Sequence, residues 1–137
     1  MDNKNRPWVM CADVVGEEAS PGVVRSVLAY SDSIMAVENR FEKGAIGAMH
    51  SHPHTQITYI LSGIFEFTIG QEKKIVQAGD SMLDISGVMH GCTCLESGTL
   101  LDVFTPMRED FILCTQDNPQ AIRPDMYSSN GKLDENQ

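Results

Sequence analysis

Hydrophobic and polar residues alternate along much of the chain in short runs that glycine-containing turns separate. Alternation with a period of two places successive side chains on opposite faces, which is typical of half-buried β-strands. Strands that recur about every 8 to 12 residues favour an all-β sandwich or barrel. The predicted strands are residues 23–30, 34–41, 56–61, 64–69, 73–77, 82–85, 90–96 and 99–105.

The residues between these runs predict how the strands connect. Ser31-Asp32-Ser33 forms a turn-favouring cluster between the first two runs. Ser62-Gly63 separates 56–61 from 64–69, and this pattern predicts a β-hairpin. Gly98 marks a further break between the last two runs.

Amphipathic helices that alternate with strands would indicate βαβ units, but the sequence shows none of them. The best helical candidate is the short stretch 106–113, with Pro106 at its start and Glu109 and Asp110 in its first turn. An all-β fold therefore remains the prediction.

A length of 137 residues fits one domain with one hydrophobic core. We expect residues 1–20 to form an irregular N-terminal arm, with Trp8 and Val9 packed on the core. Residues 21–115 are expected to form the barrel, and residues 116–137 a polar C-terminal tail.

Composition and charge exclude several classes of protein. The net charge of −9 argues against a nucleic-acid partner, because nucleic acid binds a basic face. No apolar run approaches the roughly 18 to 20 residues of a membrane span, so no membrane partner is expected. The first seven residues lack the apolar core of a secretory signal, and we expect a cytoplasmic location.

The cysteines do not indicate a zinc ribbon or a thioredoxin-type motif, because no two of them form a C-x-x-C pair. Cys92 and Cys94 share a predicted strand face with His90. We interpret them as reduced interior residues, and a redox role or a role beside the metal is the alternative.

A group of polar residues before and within the predicted strands indicates metal chemistry. His50, His52 and Gln56 share one parity, so in a strand their side chains would leave the same face. With His90, they would bring three imidazoles and one side-chain oxygen together, which is typical of a site for a first-row transition metal. The alternative is a surface cluster of histidines in a loop.

Two segments resemble the motifs of a known family. The segment from Gly47 to Gly63 resembles the first cupin motif, in which a His-x-His pair precedes an acidic ligand and a glycine. The segment from Gly79 to His90 resembles the second cupin motif, which supplies the last histidine. The resemblance implies a double-stranded β-helix, the jelly-roll barrel of the cupin superfamily, with a metal inside.

The chain departs from the usual motifs at two positions: Gln56 replaces the acidic ligand, and Ile85 replaces the proline of the second motif. A neutral amide leaves the metal's +2 charge uncompensated, which should weaken metal retention and strengthen Lewis acidity. The ligand set suits several divalent metals, so nickel, zinc, manganese and iron all remain open.

A narrower resemblance covers Leu-Asp-Val-Phe-Thr-Pro-Met-Arg-Glu-Asp-Phe at 101–111 and His-Pro-His-Thr-Gln at 52–56. Both segments are similar to KdgF-type pectin-degradation cupins. Enzymes of that family convert 4,5-unsaturated monouronates from pectin or alginate into linear keto acids, so the partner would be a small acidic sugar. The resemblance implies metal ligands at His50, His52, Gln56 and His90, and further active-site residues at Asp102, Phe104 and Arg108.

The residues themselves are compatible with these roles and leave alternatives open. Asp102 and Phe104 share a strand face, and an inward aspartate is costly unless it is paired or functional. Asp102 would then move a proton, while Phe104 would form an apolar wall for the sugar. The alternative places Asp102 outside, with Leu101 and Val103 in the core.

Arg108 lies just beyond the last strand, where it could reach the mouth of the barrel. Its planar guanidinium suits the carboxylate of a uronate. The alternative is a solvated arginine that pairs with Glu109 or Asp110.

Two other functions use the same fold. An oxygen-using cupin dioxygenase would have a similar metal site, and a non-catalytic sugar-binding cupin would lack turnover. With any of these functions we expect a homodimer, because small cupins often pair their edge strands, with the hydrophobic residues of 23–41 at the interface.

Overall fold

The computed structural model describes residues 2–114, and eight β-strands account for more than half of them. A 3-10 turn at Cys11–Asp13 precedes the strands, and the short helix α1 at Glu109–Cys114 follows them. The strands are β1 (Glu17–Ser20), β2 (Val23–Tyr30), β3 (Met35–Phe41), β4 (Ile46–His50), β5 (Thr55–Ile69), β6 (Glu72–Gln77), β7 (Ser81–Asp84) and β8 (His90–Thr105).

The strands form one antiparallel sheet that is centred on the two long strands β5 and β8. The main path runs β1-β2-β3-β8-β5-β6, while β4 pairs with β8 and β7 pairs with β5. The first half of β5 therefore pairs with β7 and the second half with β6, and β8 divides between β4 and β3 in the same way. The predicted all-β architecture of one domain is confirmed.

The predicted hairpin at Ser62-Gly63 is wrong, because residues 55–69 form one continuous strand. Residues 90–105 are likewise a single strand through Gly98. Gly63 has a φ of +84°, and the β5–β8 register shifts on both sides of it, which are the properties of a bulge. A Cβ atom on Gly63 would lie 2.6 Å from the Cα of Gly98. The two glycines therefore allow two long strands to cross closely, and the chain does not reverse.

Two clusters of buried hydrophobic residues form the core. Phe41 and Phe65 meet edge to face in the larger cluster, with ring centres 5.3 Å apart. The smaller cluster adjoins the polar interior described below, and its buried members are Tyr30, Met35, Val37, Phe104 and Phe111.

The N-terminal segment differs from the prediction at two points. Trp8 does not pack on the core, since 77% of its surface is exposed, and Val9 is half-buried. Strand β1 lies inside the predicted arm and pairs with β2. The chain start is attached through Tyr30, whose hydroxyl donates to Asp2 over 2.6 Å.

At the other end, α1 confirms a short helix but begins at Glu109, so Pro106 precedes the helix. The predicted tail at 116–137 lies outside the described residues. Within residues 2–114, no helix has the length and apolar character that a membrane crossing requires.

Most large hydrophobic side chains of the segment 23–41 already belong to the core of this single chain. Of these side chains, Val24 and Ile34 are exposed. The predicted homodimer interface is therefore limited to the remaining surface of this segment.

Candidate metal centre and active site

Three histidines converge at one end of the paired strands β4 and β8. His50 ends β4 and His90 begins β8, and these two residues lie opposite each other in the strand register. His52 is in the irregular segment between β4 and β5, and Gln56 is in β5, so the expectation that His50, His52 and Gln56 share one strand is wrong. One nitrogen from each ring lies within 4.8 Å of the other two, and the chain bend after His50 makes this convergence possible.

Main-chain carbonyls orient all three rings in the same way. Each Nδ1 lies 2.7 to 3.1 Å from a carbonyl oxygen, so a neutral ring donates its Nδ1–H there. Each Nε2 then keeps its lone pair, which is the form that binds a metal. The carbonyl partners are Ala48 for His50, His54 for His52 and Val88 for His90.

Burial also keeps the imidazoles of His52 and His90 neutral. It lowers the pKa of His52 to about 2, and the nearby Arg108 lowers it further. Burial lowers the pKa of His90 to about 4, with the neighbouring His50 as the next cause. At neutral pH both rings are therefore unprotonated, as metal binding requires.

Gln56, on β5, extends this group with an oxygen. Its Oε1 lies 3.0 Å from the Nε2 of His52. When His52 donates through Nδ1, both of these atoms are electron-pair donors that face each other. A cation shared by the two atoms would resolve this contact, because both lone pairs would then face a positive charge.

These observations fit a divalent metal. Three neutral imidazoles and an amide oxygen are donors that suit several first-row metals. The Nε2 of His90 is buried and accepts no hydrogen bond from residues 2–114, so its lone pair is available to a cation.

Asp102 points into the barrel, so the alternative that places it outside is wrong. Its Oδ1 accepts hydrogen bonds from Thr58 over 2.7 Å and from Gln56 over 3.1 Å, and its Oδ2 accepts one from Asn39 over 2.7 Å. Burial raises the pKa of this carboxyl, although these hydrogen bonds act in the opposite direction. Asp102 is therefore a buried carboxyl that three hydrogen bonds hold next to the candidate metal ligand Gln56.

Arg108 combines the two alternatives that the sequence left open. It pairs with Asp110, with Nε 3.1 Å from Oδ1 and Nη2 2.8 Å from Oδ2, but it is buried and not solvated. Its guanidinium carbon lies 4.2 Å from the ring centre of Phe111 and 5.1 Å from that of Phe104. Asp110 and the two rings fix the position of this cation.

A cavity of about 370 Å³ joins these groups. Its volume is within the range of about 300–1,000 Å³ that small-molecule sites occupy. The wall includes six of the seven residues predicted from the sequence, and His52 lies behind them in contact with Gln56. The six are His50, Gln56, His90, Asp102, Phe104 and Arg108.

Sequence reasoning missed a second buried cation, Arg25, which also lines the cavity. Its guanidinium carbon lies 4.1 Å above the ring of Phe111, and its Nη2 is 3.2 Å from Glu17. The signal was present in the strand pattern, because Arg25 has the same parity as the buried Val23.

Asp84 was also missed. It is fully buried at the end of β7, opposite Gln56 in the strand register, and its Oδ2 lies 3.7 Å from the Nε2 of His90. Burial raises the pKa of this carboxyl to about 7, with the charge of Asp102 as the second cause. A cation bound by His90 would lower it again, because a positive neighbour favours the carboxylate.

Comparison with known proteins agrees with this geometry. A family model described as a cupin domain matches residues 37–104. The pectin degradation protein KdgF of Dickeya dadantii (strain 3937) is 43% identical over 98 residues, which are 70% of this chain and 89% of that protein.

Two solved structures have similar folds. An RmlC-like cupin from Shewanella frigidimarina NCIMB 400 superposes with a TM-score of 0.77 and 34% identity, over 80% of this chain and 99% of that chain. KdgF from Halomonas sp. superposes with a TM-score of 0.73 and 32% identity, over 76% of this chain and 96% of that chain. The chain therefore belongs to the cupin superfamily, among the small single-domain cupins similar to KdgF.

Proposed function

We propose that this protein is a metal-dependent cupin enzyme that converts 4,5-unsaturated monouronates, from pectin or alginate breakdown, into linear keto acids. The observation that carries the proposal is that one cavity joins the three-histidine group to Asp102 and Arg108. The 43% identity to a pectin degradation protein supports the same substrate class.

The cavity suits a small acidic sugar. Arg108 and Arg25 place positive charge on its wall, and a uronate carries one carboxylate. Phe104 offers an apolar ring beside Arg108 against which a sugar ring can pack. Because Asp110 accepts hydrogen bonds from the guanidinium of Arg108, this side chain is already positioned before the substrate binds.

The reaction is a net isomerisation. The bond between C1 and the ring oxygen breaks, C1 becomes the aldehyde and the enol at C5 becomes the ketone. The proton lost from the C1 hydroxyl is balanced by one gained at C4, so water is not consumed. Asp102 moves this proton, because it is the buried carboxyl on the cavity wall and burial raises its pKa above the ordinary value.

A divalent metal held by His50, His52, Gln56 and His90 would polarise the substrate's oxygen atoms as a Lewis acid. Gln56 connects that group to the proton-moving residue, since its Nε2 donates to Asp102 and also to Thr58 over 2.9 Å. Thr58 donates in turn to Asp102, and this network keeps the carboxyl in one orientation.

Replacement of Arg108 by lysine is expected to raise the KM for the monouronate by about tenfold or more, with a smaller change in kcat. A lysine ammonium is a point charge and cannot retain both contacts to Asp110 while it binds a carboxylate. Steady-state kinetics would measure both constants. Arg40→Lys is the matched control, because Arg40 is exposed and pairs with Glu38. An unchanged KM in R108K would contradict the proposal that Arg108 binds the carboxylate of the substrate.

We also propose that the protein works in the cytoplasm as a homodimer. β1 and β6 end the main path of the sheet, and edge strands of this kind are often covered by a second copy. Size-exclusion chromatography with light scattering should return twice the chain mass of 15.1 kDa at micromolar concentration. A mass of one chain would contradict the dimer.

The function is tested by incubation of the metal-loaded protein with unsaturated monouronates derived from galacturonate and mannuronate. An oxygen electrode follows oxygen uptake during the reaction. The proposal predicts loss of the conjugated ultraviolet absorbance, a linear keto acid by NMR and no oxygen uptake. Oxygen consumption would favour a cupin dioxygenase, and tight binding without turnover would favour a non-catalytic sugar-binding cupin.

A further inference from the structure

The candidate metal centre has no negative charge among its ligands. Glutamine occupies position 56, and its side-chain amide is needed as a hydrogen-bond donor, because Nε2 donates to Asp102 over 3.1 Å. A glutamate at this position would place two carboxylates in contact in the barrel interior. The hydrogen bond to Asp102 therefore explains the neutral side chain, but it leaves the charge of a divalent cation unbalanced.

Asp84 is a candidate for the balancing charge on the side of His90. It lies opposite Gln56 in the register of β5 and β7, and its exposed fraction is 0%. Its Oδ2 is 3.7 Å from the Nε2 of His90, the nitrogen that is left for a metal once Nδ1 is bound to Val88.

The surroundings of Asp84 give no structural reason for a carboxyl group. Among the residues that the structure describes, none donates a hydrogen bond to either of its oxygens. A distance of 3.7 Å to His90 is too long for such a bond. A buried carboxyl without donors costs stability, and a nearby cation would offset that cost.

We propose that Asp84 supplies the negative charge of the metal centre on the side of His90, in place of the acidic ligand that position 56 lacks. The inference rests on the metal centre of the proposed function and is independent of the substrate. Asp84 is outside the group of three histidine nitrogens that lie within 4.8 Å of one another. Its assigned role is therefore the charge beside His90, and a bond to the metal is not required.

The test compares wild type with Asp84→Asn and Asp84→Val. Asparagine keeps the shape and removes the charge, while valine also removes the polar atoms and suits a strand. The expected result is a metal affinity about 10- to 100-fold lower in both variants, measured by calorimetry with nickel, zinc and manganese salts. In the same variants, the melting temperature of the metal-free protein should be equal to or higher than that of wild type.

Glu72→Gln is the matched control, because it removes one exposed carboxylate from β6 and should leave metal affinity unchanged. Wild-type affinity in either Asp84 variant would overturn the assignment, and so would an equal loss in the control. Because metal binding is the readout, tight binding by a wild-type protein that turns over no uronate would refute the function and leave the role of Asp84 standing.

Discussion

Replacement of Asp102 by asparagine is expected to lower turnover of unsaturated monouronates by about 10²- to 10⁴-fold, the range of a lost general acid–base group. Asparagine cannot accept and release the proton that the isomerisation moves from O1 to C4. The metal ligands are untouched, so metal content should equal that of wild type. Steady-state turnover and metal analysis of the same preparation would measure both results.

Two controls separate this role from a structural one. Asp102 accepts three hydrogen bonds, so the thermal unfolding of D102N must be measured beside its kinetics. Asp13→Asn changes an exposed aspartate in the 3-10 turn and should leave turnover unchanged. Normal turnover in a folded D102N protein would remove Asp102 from the mechanism.

Replacement of His52 by alanine is expected to lower metal affinity by more than about 100-fold and to abolish turnover with it. Removal of a ligand should exceed the effect of removing a group that only orients a ligand, which costs about 10- to 100-fold. His52 is at the centre of the group, with its ring centre 5.5 Å from that of His50 and 4.8 Å from that of His90. Metal per chain after dialysis and calorimetric titration are the measurements.

His54→Ala is the matched control, because His54 is the one histidine of four that lies outside the group. It is also buried, so the two variants lose side chains of the same size in similar surroundings. Retained metal in H52A, or equal loss of metal in H54A, would contradict the ligand assignment.

Alternation of residues correctly placed several side chains of β8 on the face that enters the barrel. Asp102 and Phe104 share parity and both are buried, as are Cys92 and Cys94 on the same strand. The rule succeeds because the strand period is two and one face of each strand meets the interior. The same rule, applied strictly, would have found Arg25.

The presence of Gly63 led to the wrong prediction of a hairpin within residues 55–69. Gly63 permits a positive φ, and this property serves a turn and a bulge equally, so the sequence did not distinguish them. The decisive fact is the contact between Gly63 and Gly98, which are 35 positions apart in the chain. Contacts of this range are invisible to local pattern.

The candidate site could likewise be predicted only in part from the sequence. Six of the predicted residues line the cavity, but Arg25 and Asp84 were missed, and the environment of each side chain was not predicted. Arg108 was expected at the mouth of the barrel and is buried against Asp110 and two aromatic rings. Asp84 lies in a short run of mixed character, and its burial follows from the pairing of β7 with β5.

The central claim is that a metal in the three-histidine group is required for the opening of unsaturated monouronates. The most direct measurement follows the conjugated ultraviolet absorbance of the substrate before chelation, after a chelator has removed the metal, and after metal is restored. The account predicts decay before chelation, none after it, and recovery with about one equivalent of metal per chain. Undiminished decay in protein shown to be free of metal would contradict the account.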